Sequence, residues 1–363
     1  MRKLATKRPK LAVRFSWKKL LYVLLFLTAW VLFGFNTKNA DHVQYEFAYN
    51  SYSLDAHGST NELGFRLLCV AFKTIGCPYQ LFIIIYSFVG LYIMFKSIKE
   101  YTDQYLVWAV CYLVYPFAFD VPQIRTFAVE VIVVYAIRYL AKFERESILK
   151  YLAYILISTL FHSIGIIYLI LMLAYLKDTK MIVKISGIVT GGLVMVSLFA
   201  QGLVNIVFRM LSFLGENVRG VGYIVFWDSL RKLMFEYLAI GLLIIALNYF
   251  NSKYLEKIRV KDNRTEVIRV IEKVTYISLM LIPLMSFGPS FGRLFSRLWP
   301  LLYCGLLQKS KLMKTGKVSM RVVLSNCACI GLVAMMFYFH VYTGDQNSFE
   351  RVFKVLFENN LLF

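Results

Sequence analysis

Ten uninterrupted apolar runs, separated mostly by short basic loops, leave this chain few ways to fold. They lie at about 20–35, 79–95, 105–120, 126–141, 151–176, 185–201, 231–250, 274–288, 293–307 and 322–342. A helix needs roughly 20 apolar residues to cross a bilayer. Long continuous runs without two-residue alternation read as spanning helices, not as barrel strands. Of the 363 residues, 59% are hydrophobic and only 17% charged, with a mean hydropathy of +0.62. A soluble domain of this size cannot hide so much apolar side chain. The expected fold is all-α: a polytopic helical bundle, one membrane domain over residues 1–363.

The net charge of +20 would suit a nucleic-acid binder, but its distribution argues against one. Lys and Arg cluster in alternate loops, the positive-inside pattern of an inner-membrane protein. Residues 1–19 carry eight of them and no acid, and no small-x-small cleavage site precedes Asn36. That predicts a cytoplasmic N-terminus followed by an uncleaved first span.

The run 151–176 decides the topology. Its 26 residues allow one tilted span, or two short half-spans turning near Phe161-His162-Ser163-Ile164-Gly165. Two passes put 29 of the 41 Lys and Arg on the inner side. One pass inverts everything after 176 and turns the basic clusters at 251–273 and 308–321 outward, against the bias. The expectation is therefore about 11 crossings, including broken half-spans near His162 that neighbouring helices shelter. Segments 36–78, 202–230 and the tail 344–363 then face outward. Within 202–230 an amphipathic helix is expected at 203–214.

With this topology the outer face collects Asp41, Glu62, Asp120, Arg125, His162, Arg293 and Arg297. Ionisable groups at membrane depth are costly and mark functional sites. Arg125 follows Pro122 where a span begins. A helix N-terminus with an added guanidinium makes an anion site, although an interfacial Arg also snorkels to headgroups. Arg293 and Arg297 are four apart, which puts them on one face of a continuing helix. Two such cations repel unless an anion or carboxylate lies between them, and a diphosphate suits their forked donors. The alternative is pairing with acids on other helices. His162 reads either as a proton acceptor or phosphate donor, or as a buried imidazole satisfied by backbone. For Glu130 an inter-helix ion pair is the better reading.

The six cysteines show no metal spacing. Cys69 and Cys77 fall in one outer segment, as a disulfide or as two small apolar fillers. No Walker loop, dinucleotide fingerprint, zinc motif or Ser-His-Asp signature is present, so neither metal nor cofactor is expected.

The polar residues also occur in a telling order: Asp41 and Tyr45, Asn61-Glu62-Leu63-Gly64-Phe65, Ile124-Arg125-Thr126-Phe127-Ala128, Phe161-His162-Ser163, then Arg293 and Arg297. This pattern resembles the EpsG family of bacterial polytopic proteins, related to the Wzy polymerases of capsule, O-antigen and exopolysaccharide. The similarity runs over roughly 20–310. It departs at Thr126, where the family usually has Gln, and at Ala40, where it often has Gly.

The resemblance implies a GT-C-like membrane glycosyltransferase working at the outer leaflet of the bacterial inner membrane. It transfers a growing glycan from undecaprenyl diphosphate to a sugar hydroxyl of another lipid-linked repeat unit, without a nucleotide sugar. On this reading Arg125, Arg293 and Arg297 hold the diphosphate, and His162, Asp41 or Glu62 removes the acceptor's proton. Membrane lipids, a flippase and a chain-length regulator are the expected partners, and nucleic acid is not. The rival class is a transporter, either a flippase for lipid-linked oligosaccharide or a polysaccharide exporter. A membrane O-acyltransferase is a second rival, disfavoured by an outward His162.

Overall fold

The computed structural model describes residues 16–53, 62–212, 227–255, 263–288, 291–307, 320–343 and 349–363. Among them the chain is helical throughout, and one isolated bridge, Asn36 to Asn360, is the sole β-type pairing. Four helices contain stretches long and apolar enough to cross a membrane: 17–34, 79–101, 179–199 and 323–342. Their outward side chains are apolar too. Leu24, Val89, Ile188, Phe199 and Ile330 are all exposed, the inverse of a soluble surface and suited to lipid.

Helix α1 (Trp17–Gly34) runs antiparallel to α4 (Tyr79–Tyr101). Tyr22 donates to the Phe95 carbonyl at 2.7 Å, and Trp30 to that of Ile84 at 2.9 Å. Between them the expected outer segment folds into two short helices, α2 (His42–Ser51) and α3 (Leu63–Thr74). Helices α5 (Tyr105–Val114) and α6 (Phe117–Asp120) return to the end where α1 finished, and α7 (Ile124–Ala136) starts there. Tyr86 donates to the Ile124 carbonyl and Tyr101 to that of Val134, both at 2.8 Å, so α7 lies parallel to α4.

The expected reversal occurs at His162. Helix α8 (Arg145–Phe161) stops there because His162 adopts an extended backbone, φ −157° and ψ 131°. The chain then turns back as a tight 3-10 segment, Ser163–Tyr175. Tyr151 reaches across to the Tyr168 carbonyl at 2.7 Å. Such a segment rises about 2.0 Å per residue, so its 13 residues reach further than an α-helix of equal length. Lys273 satisfies the far end by donating to the Ala174 and Leu176 carbonyls at 3.0 and 2.7 Å.

Beyond lie α9 (Thr179–Ser212), α10 (Trp227–Leu255) and α11 (Asn263–Ser278), then 3-10 turns, α12 (Gly292–Ser296), α13 (Trp299–Leu307), α14 (Met320–Phe337) and α15 (Val355–Glu358). The amphipathic helix expected at 203–214 is not a separate element. Residues 203–212 continue the 34-residue α9, because a single glycine, Gly202, does not break a helix. Residues 213–226 of that outer segment and 344–348 of the tail lie outside the described residues, as do residues 1–15. Cys69 and Cys77 are both free, one buried and one half-buried, so the disulfide reading is set aside.

The C-terminal tail returns to the end of α1. The Thr37 amide donates to Asn359 at 2.8 Å, and that of Leu361 to Phe35 at 2.9 Å. Asn360 adds a side-chain bond to the Val31 carbonyl. One end of the bundle thus gathers the finish of α1, the starts of α4 and α7, the turn at His162 and the tail.

The His162 hairpin depends on Gly165. A Cβ there would lie 2.5 Å from Ser158 Oγ and 2.8 Å from the Thr159 backbone nitrogen. The serine can rotate, but the backbone cannot move without parting the arms. Gly165→Ala is expected to destabilise the protein by about 1–3 kcal/mol, read as a lower thermal midpoint in detergent. An unchanged midpoint would mean that the arms do not pack this closely.

Candidate active site

Every residue of the cluster expected from the sequence sits where a helical element starts or stops. Asp41 immediately precedes α2, Glu62 immediately precedes α3, and Arg125 and Arg293 are the second residues of α7 and α12. His162 is the extended hinge itself. Chain ends are where apolar periodicity stops and backbone groups need partners, so polar residues collect there at least cost.

Glu62 is the centre of the arrangement. One carboxylate oxygen, Oε2, accepts from Arg125 Nη1. The other, Oε1, accepts from the Ser163 amide at 2.9 Å and lies 3.5 Å from His162 Nδ1. Arg125 is also bonded through Nε to the Tyr45 hydroxyl at 3.3 Å, with its guanidinium over that ring at 5.8 Å. His162 Nδ1 is 3.4 Å from the Ile164 amide, leaving Nε2 as the nitrogen not engaged in these contacts. These side chains are mostly shielded: Arg125 is 20% exposed, Glu62 19% and His162 14%.

Burial by itself would raise the Glu62 carboxyl. The Ser163 amide, its own backbone amide and then Arg125 and His162 outweigh burial, and hold it below the usual carboxylate range. Asp41 goes the other way. Burial raises it, and the charges of Arg293 and then Arg125 offset this only in part. Those two arginines are therefore near enough to act on Asp41. Neither the Asp41 carboxylate nor the Arg293 guanidinium has a hydrogen bond or ion pair among the described residues. One carboxylate and one guanidinium thus stand without partners among the described residues, at the starts of α2 and α12.

Arg297 does not join them. It does follow Arg293 by one turn, with helical φ and ψ and its amide donating to the Arg293 carbonyl at 3.1 Å; the two part in what their side chains meet. Arg297 turns into the bundle and is 2% exposed. Its Nη1 meets Glu130 at 2.9 Å and also contacts Asp120, and its Nη2 donates to Gln123 Oε1 at 2.7 Å. Two carboxylates and an amide occupy its terminal nitrogens, and burial closes the rest of the guanidinium to an external anion. Glu130 makes the inter-helix pair expected of it. Two partners are not evident from residue type: Tyr45, whose signal was its place one turn after Asp41, and Gln123, two residues before Arg125.

Among the described residues no group of three His, Cys, Asp or Glu gathers to hold a metal ion. What the arrangement can do is bind an anion at Arg293 and the remaining donors of Arg125, and exchange a proton at His162 or Asp41.

Gly64 explains how α3 brings Glu62 to the hinge. A Cβ on it would lie 2.7 Å from Leu160 Cβ and 2.9 Å from the Leu160 carbonyl oxygen. Gly64→Ala should push α3 off α8 and lower activity more than Gly76→Ala, which meets nothing nearby but has φ +75°. Equal activity losses would dissociate Gly64 from the site. Glu62 also predicts a pH signature. A carboxyl lowered on folding stabilises at pH values above its unfolded pKa, and that stabilisation is lost as pH falls through the folded pKa. The stability gap between wild type and Glu62→Gln should therefore be widest near neutrality and close in acid, measured by thermal unfolding across pH.

No curated protein and no solved structure matches the chain. The family model of the EpsG family matches residues 19–353, which include every residue of the cluster. With nearly the whole chain inside that match, this protein belongs to the EpsG family.

Proposed function

We infer that this protein polymerises lipid-linked oligosaccharide repeat units into a bacterial capsular, O-antigen or exopolysaccharide chain at the outer leaflet of the inner membrane. The observation that carries the reading is the Glu62 bridge joining Arg125 to His162, together with Arg293 and Asp41, whose side chains are unpartnered among the described residues and whose charges act on one another. EpsG membership supports a polysaccharide polymerase. The donor is a glycan on undecaprenyl diphosphate and the acceptor a sugar hydroxyl of a second lipid-linked unit.

In the proposed step, an acceptor hydroxyl attacks the anomeric carbon of the donor glycan. As the new C–O bond forms, the bond from that carbon to the diphosphate oxygen breaks. Undecaprenyl diphosphate leaves with the electron pair. Arg293 and the donors of Arg125 not used by Glu62 and Tyr45 neutralise the charge developing on it. His162 Nε2 takes the proton released by the hydroxyl in the tautomer whose Nδ1–H points to Glu62 Oε1 in place of the Ile164 amide contact, and Glu62 orients the ring and offsets part of the burial that disfavours its charged form. Asp41, raised by burial, is the second candidate for that proton.

Eleven crossings with a cytoplasmic N-terminus put the cluster and the tail on the outer side, where a flippase would deliver the substrate and a chain-length regulator could meet the product. A flippase needs cationic groups along the membrane depth. At the opposite end of α4 and α7, Arg138 is already engaged with Glu100 at 2.8 Å and with the Tyr135 ring at 4.1 Å. Arg125 and Arg293, the arginines of the cluster with donors to spare, are at one end, which favours an enzyme over a transporter.

The test is purified protein with lipid-linked repeat units and no energy source. The glycan should lengthen, and Arg125→Ala at normal protein level should slow lengthening by about 10²-fold or more. Lengthening at the wild-type rate would sink the assignment of Arg125. Translocation of the lipid without lengthening would sink the polymerase.

A further inference from the structure

Arg297 lies outside the anion site, yet it is joined to both arginines of that site. It follows Arg293 by one turn, and its guanidinium is bonded to Gln123, two residues before Arg125. The same guanidinium reaches Glu130 on α7 and Asp120 just before α7. Asp120 is fixed in turn by the Tyr112 hydroxyl of α5 at 2.6 Å. Asp120 and Glu130 are wholly buried. A charged network at that depth is costly unless its geometry is held, and removing one partner strands the others.

The element it holds is short. Helix α12 has five residues, too few to fix its own place by helical hydrogen bonding. It is tied down from two sides. One tie is Arg297 to α7. The other is the Tyr168 hydroxyl donating to the Leu294 carbonyl at 2.9 Å, from the 3-10 arm that leaves His162. Leu294 is the neighbour of Arg293. The position of Arg293 relative to Arg125 and His162 therefore rests on these bonds as well as on the burial of Leu294 and Phe295.

We propose that Arg297 is a positioning residue: the buried Asp120–Arg297–Glu130–Gln123 clamp sets the spacing between Arg125 and Arg293, and that spacing makes the site prefer a diphosphate headgroup to a monophosphate. This rests on the reading of Arg125 and Arg293 as the anion-binding pair. A diphosphate presents two phosphoryl groups, one for each guanidinium, whereas a monophosphate presents one and gains less from the second guanidinium. The clamp therefore acts on the second contact and leaves the first in place.

The experiment measures binding of undecaprenyl diphosphate and undecaprenyl monophosphate to the full chain in lipid nanodiscs. Wild type should favour the diphosphate by roughly tenfold or more, the size of one added charge-assisted contact. Arg297→Lys, a point charge that cannot serve all three partners, should lose that preference while binding the monophosphate as wild type does. Gln123→Leu, a milder change, should lose part of it and stands in if Arg297→Lys fails to fold. Glu130→Gln keeps an acceptor for Nη1 and should retain most of the preference; Glu130→Ala should not. A merely structural role would lower both affinities together or neither. If wild type binds the two lipids equally, the diphosphate site itself is overturned. If wild type discriminates, and Arg125→Ala and Arg293→Ala abolish this while Arg297→Lys and Gln123→Leu keep it, only the clamp is overturned.

Discussion

The Glu62 carboxylate is the contact on which the site-bearing end of this protein depends. It sits at the start of one helix, neutralises an arginine at the start of a second, and accepts from the backbone just beyond a third. A carboxylate this shielded would be destabilising alone. Supplied with a guanidinium and a backbone amide, it becomes a bridge that fixes three chain ends at once. The close approach of Gly64 to Leu160 lets it reach. The His162 hinge supplies the amide, because an extended residue between two helical arms frees the N–H groups that open the second arm.

The arginines show how one residue type takes different parts according to what surrounds it. Arg138 stacks on Tyr135 and pairs with Glu100 at the opposite end. Arg297 is locked among acids in the interior. Arg125 is half committed, with Glu62 and Tyr45 on part of its fork, and Arg293 is uncommitted among the described residues. Only the last two retain donors for an anion. A count of cations at one face therefore overstates the binding capacity, since partners across the bundle remove some of them.

Much of the architecture was legible in the chain. Apolar run length gave the helices and excluded strands, and the excess of Lys and Arg in alternate loops required a reversal near His162, which the Tyr151–Tyr168 contact bears out. The segment 36–78 was harder to read, because its short helices α2 and α3 carry exposed apolar residues such as Phe47 and Leu67 without a spanning-length run. The helix expected at 203–214 was misplaced because propensity does not say whether a stretch starts anew or continues a neighbour.

The site divides the same way. Sequence by itself determined that this is a helical membrane protein and that Asp41, Glu62, Arg125, His162 and Arg293 stand at the margins of apolar runs. Both follow from the cost of polar groups in hydrocarbon, which is written in residue type and order. Only the tertiary structure decided which of those charges spend themselves on each other. Arg293 and Arg297, alike by spacing, parted because Asp120, Gln123 and Glu130 capture the Arg297 guanidinium inside the bundle, and Glu62 became a bridge because α3 packs against the end of α8. Those outcomes depend on distances across the bundle between residues far apart in the chain, and no local pattern encodes them.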